Sequence, residues 1–202
     1  HHIVADGWSV RLMLRELYDG YRSQPLPPEG SSYLDYAAWH RRWIEAGGAD
    51  AEVGYWKEQL AGAESSISLP TDFPRPSRPS SDGDAVGLRL DGELLEKIGI
   101  FAASLRTTPF TILLAAFQLF LYKHGSGAAP VIAIPVGNRH HPGSGEIFGT
   151  LDNTLPYRLE IQPGESFSQL VERVRDASFA MLAAQDAPFE RIIEAVQPER
   201  AL

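Results

Sequence analysis

The sequence predicts a mixed fold, α/β or α+β, and three observations carry that prediction. Several stretches repeat apolar residues at three- and four-residue spacing, the period of an amphipathic helix. A few short runs are either alternately or continuously apolar, as strands are. Between the first helical stretches and the mixed remainder lies a proline-, serine- and aspartate-rich segment, Pro70 to Asp84, which reads as a surface loop or a linker.

Taken in order, the first helix is expected from about Ser9 to Tyr21, where Val10, Met13, Leu14, Leu17, Tyr18 and Tyr21 make one apolar face. The run Gln24 to Gly30, with its three prolines, ends it. A second helix carries Tyr36, Trp39 and Trp43 on one side, read as core packing, and stops at Gly47-Gly48. A third holds Tyr55, Trp56 and Leu60. Past the linker, Val86, Leu88 and Leu90 alternate like a half-buried strand. Two helices follow, about Asp91 to Leu105 and about Pro109 to Lys123, the latter with Thr108 as N-cap and proline in its first turn. The stretch Phe110 to Tyr122 is the longest apolar one; Thr111 and Gln118 interrupt it, so it reads as a buried globular helix and not a membrane span. Val131 to Pro135 reads as a buried strand, and Thr154 to Ile161, with Leu155, Tyr157, Leu159 and Ile161 alternating, as another. Helices from about Ser166 to Ala184 and Pro188 to Val196 complete the chain. The boundaries expected are 1–69, a linker at 70–84, and 85–202.

Composition narrows the function classes. Hydrophobic residues make up 44% of the 202 and charged ones 22%, enough apolar surface for a sizeable core. Net charge is −8, with no Lys/Arg-rich block, which argues against a nucleic-acid partner. The chain has no cysteine, which excludes a disulfide framework, a thiolate nucleophile and a zinc–thiolate site and fits a cytoplasmic setting. No signal-peptide pattern or membrane span is read. The chain opens inside a motif and without an initiator methionine, so it is expected to continue upstream in its parent.

That opening, His1-His2-Ile3-Val4-Ala5-Asp6-Gly7, is where chemistry is expected. A histidine moves a proton near neutral pH when its ring is held in one tautomer. Asp6, at an Asp-Gly turn, is placed to fold back and stiffen it, and Gly7 offers a backbone conformation closed to other residues and close approach to a ligand. Two bland readings compete, an affinity-tag remnant and an ordinary His-His turn. The continuation into Asp-Gly-Trp-Ser and an amphipathic helix favours natural sequence. A metal reading is weaker, because His1, His2 and Asp6 lack the i, i+4 histidine spacing of a helical zinc site. His140 and His141, beside Pro142 and Gly143, read as exposed loop residues.

HHIVADGWS resembles the HHxxxDG motif of the condensation domains of nonribosomal peptide synthetases, and further matches follow in the family's order. Tyr33 to Trp39 (YLDYAAW) resembles YxDYAxW; Pro135 to Pro142 (PVGNRHHP) resembles the approach to the next block; Phe148 to Arg158 (FGTLDNTLPYR) resembles GxFVNTLxxR; Gln185 to Glu190 (QDAPFE) resembles QDxPFE. The family's Phe-Val before Asn-Thr is Leu151-Asp152 here.

The resemblance implies a chloramphenicol-acetyltransferase-like α+β two-layer sandwich, mostly the C-terminal lobe of the two-lobed domain, with the first 69 residues ending the N-terminal lobe. It implies formation of an amide between donor and acceptor groups held as thioesters on phosphopantetheine arms, with no cofactor or metal bound directly. The partners implied are upstream and downstream carrier domains, an adjacent adenylation domain and the rest of the N-terminal lobe. His2 is the residue implied in the chemistry, as proton acceptor or as orienting group; His1 supports it. Asp6 is implied to pair with an arginine, with Arg139 the candidate in this chain. Gly7 brings its N–H towards substrate. Trp8, Ser9 and Asn153 are expected at the substrate-binding site, Asn153 as a backbone-anchoring amide near the acceptor tunnel, with an equally weighted reading as a polar strand start. The DGWS continuation and NTLPYR resemble domains taking an L-configured donor. Alternatives are a noncatalytic module that binds carrier domains or recruits another enzyme, and an ester-forming or free-acceptor acyltransferase of the same superfamily. The 202 residues alone are expected to be inactive, lacking much of the pocket.

Overall fold

The computed structural model describes residues 1–25, 30, 32–64, 67–74 and 83–197. They form seven helices and two strands: α1 (Gly7–Tyr21), α2 (Tyr33–Glu45), α3 (Asp50–Gln59), α4 (Gly92–Ser104), α5 (Pro109–Lys123), β1 (Val131–Val136), β2 (Asn153–Arg158), α6 (Phe167–Ala183) and α7 (Phe189–Val196). β1 and β2 pair as a two-stranded sheet. The prolines at 27 and 28, expected to end α1, lie outside the described residues, as does 75–82 of the linker. Residues 70–74, 83 and 84 hold neither helix nor strand.

Several helix starts follow from capping chemistry. The first N–H groups of a helix lack intrahelical acceptors, and a side-chain oxygen at the cap supplies one, worth about 1 kcal/mol. Asp6 accepts from Ser9 N–H at α1, Asp91 from Leu94 N–H at α4, and Thr108 from Thr111 N–H at α5, where Pro109 occupies the first turn. Ser32 and Asp35 form a reciprocal capping box at α2. That helix ends where Gly47 takes φ +81°, and Gly48 lies so close to the Trp43 indole that a Cβ would fall 2.2 Å from Nε1.

The chain divides into two compact units, each discontinuous in sequence. The first contains, among the described residues, those within 1–61, 133–156 and 181–197. Its core includes Leu12, Trp56, Leu60, Ile147, Leu151, Leu155 and Ile192. Trp56 on α3 is 2% exposed and donates its indole N–H to Ala184 O at 2.8 Å, a buried aromatic with its polar edge satisfied. The second unit contains, among the described residues, stretches within 62–132 and 157–180, with Ala102, Ile112, Ala115, Leu121, Tyr157, Leu170, Val171 and Val174 buried. Within it Phe101 stacks on Phe167, and Arg175 donates to Leu105 O, tying α6 to the end of α4.

Periodicity places these helices but misjudges several surfaces. The apolar face of α1 is exposed, from Met13 at 41% to Tyr21 at 92%, and the buried positions are Ser9 and Leu12. α2 has no buried residue; its aromatic side is half-exposed and stacks on itself instead of entering the core, correcting the core reading. Only one face of α5 is buried, since Phe110, Leu113, Phe117 and Phe120 are exposed. In β1 only Ile134 is buried. Residues 85–90 form no strand, with Val86 and Leu88 almost fully exposed: alternation makes a strand only where a neighbour pairs with it. Among the described residues no single helix is long and apolar enough to cross a membrane.

Candidate active site

The site is built around Asp6, whose carboxylate does two jobs at once. As the cap of α1, Oδ1 accepts from Ser9 N–H at 2.7 Å. The same group meets Arg139, whose Nη2 lies 2.8 Å from Oδ2 and 3.0 Å from Oδ1, and it accepts from Leu151 N–H at 3.2 Å. Both side chains of this ion pair are 4% exposed. Burial raises the Asp6 carboxyl; the guanidinium and the N–H groups of Ser9 and Leu151 outweigh it and hold the group down to about 2.

Through both terminal nitrogens Arg139 also donates to the loop that follows it. Nη1 donates to Ser144 O and Ile147 O, each at 2.8 Å, and Nη2 to Gly149 O at 3.0 Å. Ser9 Oγ, fully buried, lies 2.8 Å from both Asp6 Oδ1 and Gly149 O and accepts from Gly149 N–H. A Cβ at Gly149 would fall 2.3 Å from Tyr33 Cδ2, so only glycine lets this strap pass. The start of α1, the strap 139–149 and the approach to β2 are thereby one buried polar clasp.

The histidines project from that clasp. Val4 N–H donates to His1 O and Ile3 N–H to His1 Nδ1, closing a short turn. Thr150 Oγ1 donates to His2 O, and the His2 ring is 68% exposed with Nε2 4.0 Å from Asp152 Oδ2. Gly7 stands in the first turn of α1 with no positive φ, and an added Cβ there would meet nothing within 4 Å. The expectation of a backbone conformation closed to other residues is therefore corrected: the absent side chain leaves open space instead. Trp8 donates its indole N–H to Gly145 O at 2.8 Å and carries the Arg11 guanidinium 4.6 Å from its ring centroid.

Beside the histidine turn lies a cavity of about 670 Å³, lined by one face of α2 (Tyr33, Tyr36, His40, Ile44), by Asn138 and residues 150–154, and by the turn Asp186 to Glu190. Thr150 and Asp152, which meet His2, are among its walls. Burial, with the Asp186 charge nearby, pushes the Tyr36 hydroxyl up to about 12. Asn153 uses its whole amide on backbone. Nδ2 donates to Gln185 O and Ala187 O, and Oδ1 accepts from Thr154 N–H and Phe189 N–H, so the side chain fastens the QDAPFE turn to β2. Glu52 accepts from Ala187 N–H on the same turn, and burial raises its carboxyl. His140 and His141 both reach the Asp186 carboxylate, at 3.2 Å and 2.9 Å. His141 is only partly exposed, which corrects its reading as an exposed loop residue.

Asp6, Ser9 and Arg139 thus meet in the interior, His2 and Asp152 meet at the cavity edge, and Asn153 lies across the cavity floor. Ser9 and Asn153 have their hydrogen bonds committed to the protein. The sequence reading missed the strap carbonyls, the Glu52 contact and the His140–His141–Asp186 group. Asp152 stood out only as a departure from a family pattern.

Comparison with known proteins agrees with this geometry. The first condensation domain of the calcium-dependent antibiotic synthetase, solved in complex with a substrate analogue, superposes with TM-score 0.81 at 25% identity, covering 100% of this chain and 45% of that one. The X-domain solved with OxyB from teicoplanin biosynthesis gives TM-score 0.85 at 25% identity, over 100% and 47%. The fold is therefore chloramphenicol-acetyltransferase-like. In sequence, malpinin synthetase of Mortierella alpina is 39% identical over 209 residues, spanning 100% of this chain and 3% of that protein. The family description "Condensation domain" matches residues 1–202, and the chain belongs to that family, the condensation domains of nonribosomal peptide synthetases. It spans less than half the length of the solved relatives and 3% of malpinin synthetase.

Proposed function

We propose that the chain supplies the HHxxxDG site and most of the C-terminal lobe of a condensation domain that forms a peptide bond. Its substrates on this reading are donor and acceptor groups, each a thioester on the phosphopantetheine arm of a carrier domain, with an L-configured donor. Residues 1–69 would end the N-terminal lobe, 70–84 connect, and 85–202 belong to the C-terminal lobe. The exposed apolar face of α1 would pack on the remainder of the two-lobed domain, without which the chain is inactive.

One observation carries the reading: an exposed imidazole, His2, stands at the edge of a cavity on a turn fixed by a buried ion pair. The acceptor amine attacks the thioester carbonyl carbon, a tetrahedral species forms, and the thiolate leaves as the amide is made. His2 accepts a proton from the attacking nitrogen or orients that nitrogen, work that requires a positioned ring open to substrate. His1 shapes the turn through its Nδ1. Gly7 leaves space for the thioester, and its N–H, at the positive end of α1, faces developing negative charge favourably. Asp6 and Arg139 are positioning residues; Trp8 borders the strap, and Ser9 and Asn153 hold the cavity walls. Phosphopantetheine enters as part of the substrates, and the partners are the flanking carrier domains and an adenylation domain.

The test is His2→Ala in the complete domain, following dipeptidyl-carrier formation from loaded carrier domains. The expected loss is on the order of 10²–10⁴-fold. An unchanged rate removes His2 from the chemistry, whereas no dipeptidyl-carrier formation by the unsubstituted domain favours the noncatalytic binding role; the similar X-domain was solved in complex with OxyB.

A further inference from the structure

His140, His141 and Asp186, outside the proposed chemistry, bring one ligand atom each to within 4.8 Å of one another. We propose that they form a binding site for a divalent transition-metal cation of the zinc type, held by two imidazole nitrogens and one carboxylate oxygen with water completing the sphere.

The donor set points to that class of ion. Imidazole suits zinc and its neighbours, whereas magnesium and calcium take oxygen ligands almost alone. Two histidines and a carboxylate with an open position are a set that zinc adopts. Bonds of about 2.0–2.1 Å in a tetrahedron put ligand atoms roughly 3.3 Å apart. His140 Nε2 lies 3.2 Å from Asp186 Oδ2 and His141 Nε2 lies 2.9 Å from Oδ1, and one ligand atom from each residue lies within 4.8 Å of the other two, so the side chains would close by up to about 1.5 Å around the ion.

The ligands are also held in place from behind. Asp186 O lies 3.3 Å from His40 Nε2, and the carbonyls on either side, Gln185 and Ala187, are both taken by Asn153. Ala187 N–H is fixed by Glu52. His141 packs edge-on against Trp39 at 4.9 Å, and its carbonyl accepts from Ser144 N–H and Oγ. Supporting contacts of this kind orient metal ligands and raise affinity. Glu52 and Asp186 add two carboxylates beside two imidazoles, a charge balance suited to a dication. The bound ion would join the loop after β1 to the turn before α7, on two sides of the cavity that His2 borders.

The same distances serve a pair of His–Asp hydrogen bonds, and titration with Zn²⁺ distinguishes the two. In the complete domain, calorimetry is expected to show one saturable Zn²⁺ per chain and a melting temperature that rises with Zn²⁺, because an ion bound only by the folded state stabilises it. Co²⁺ is expected to give the visible absorption of a tetrahedral centre, and Cu²⁺ to quench fluorescence from Trp39. His140→Ala, at a ring 39% exposed, is expected to lower affinity by more than the roughly tenfold that loss of a supporting contact costs, and Asp186→Asn likewise. His2→Ala is expected to leave binding unchanged. No saturable uptake at millimolar Zn²⁺, or uptake of equal affinity in His140→Ala, overturns the site.

Discussion

Asp6 and His2 stand four residues apart in one motif, yet the Asp6 side chain is 4% exposed and that of His2 is 68% exposed. Around Asp6 the donors and acceptors are almost all spent: two N–H groups, a hydroxyl and a guanidinium converge on one carboxylate. Around His2 only a backbone hydrogen bond and a carboxylate 4.0 Å away are present. The contrast separates two tasks. The buried half fixes where the motif sits, and under the proposed function the open half is left for a substrate. On that reading a site residue must be rigidly placed and still reachable, and the two demands are divided between neighbours.

Removing Arg139 attacks the buried half most directly. Arg139→Ala leaves the Asp6 carboxylate buried and unpaired, for an expected cost of about 3–5 kcal/mol in urea unfolding. Arg139→Lys is expected to rescue little, since one ammonium cannot reach the three carbonyls that the guanidinium spans. Loss of under 1 kcal/mol in Arg139→Ala would mean that the pair does not hold the motif.

Acid sharpens the comparison with a smaller effect. Asp6 titrates at about 2 in the folded chain against 3.8 when unperturbed. Its folded value is depressed, so its stabilisation is fully present above about pH 4 and is lost as pH falls through 2. The amount is about 2 kcal/mol. Asp6→Asn is expected to flatten the stability profile between pH 4 and 2; an unchanged profile would assign the acid sensitivity elsewhere.

The smallest effect belongs to the open half. His1→Ala removes one exposed hydrogen bond, from Ile3 N–H, and is expected to change unfolding stability by less than about 0.5 kcal/mol. A loss of several times that would show that the histidine turn, too, is part of the folded frame.

The motif residues, the helices and their caps were legible because each rests on short-range chemistry. Asp6, Ser32, Asp91 and Thr108 cap helices through atoms three residues away, which a sequence displays directly. The exposure of α1's apolar face was not legible, because periodicity says which residues share a face but not what covers it. Val86 and Leu88 alternate like a strand and lack one, since pairing partners are set by distant chain. The loop position of His140 and His141 was legible, but their shared partner was not, because nothing nearby in sequence announces Asp186.

The sequence by itself determined the family, the helical segments and the candidate histidine, since those depend on residue identity and on contacts within a turn or two. Tertiary structure alone decided that Ser9 is a fastener, which backbone groups Asn153 holds, that Gly7 needs no special backbone, and that Asp6 is buried while His2 is exposed. Those outcomes depend on which of many distant backbone groups arrives within 3 Å of a side chain, and the path of the whole chain fixes that.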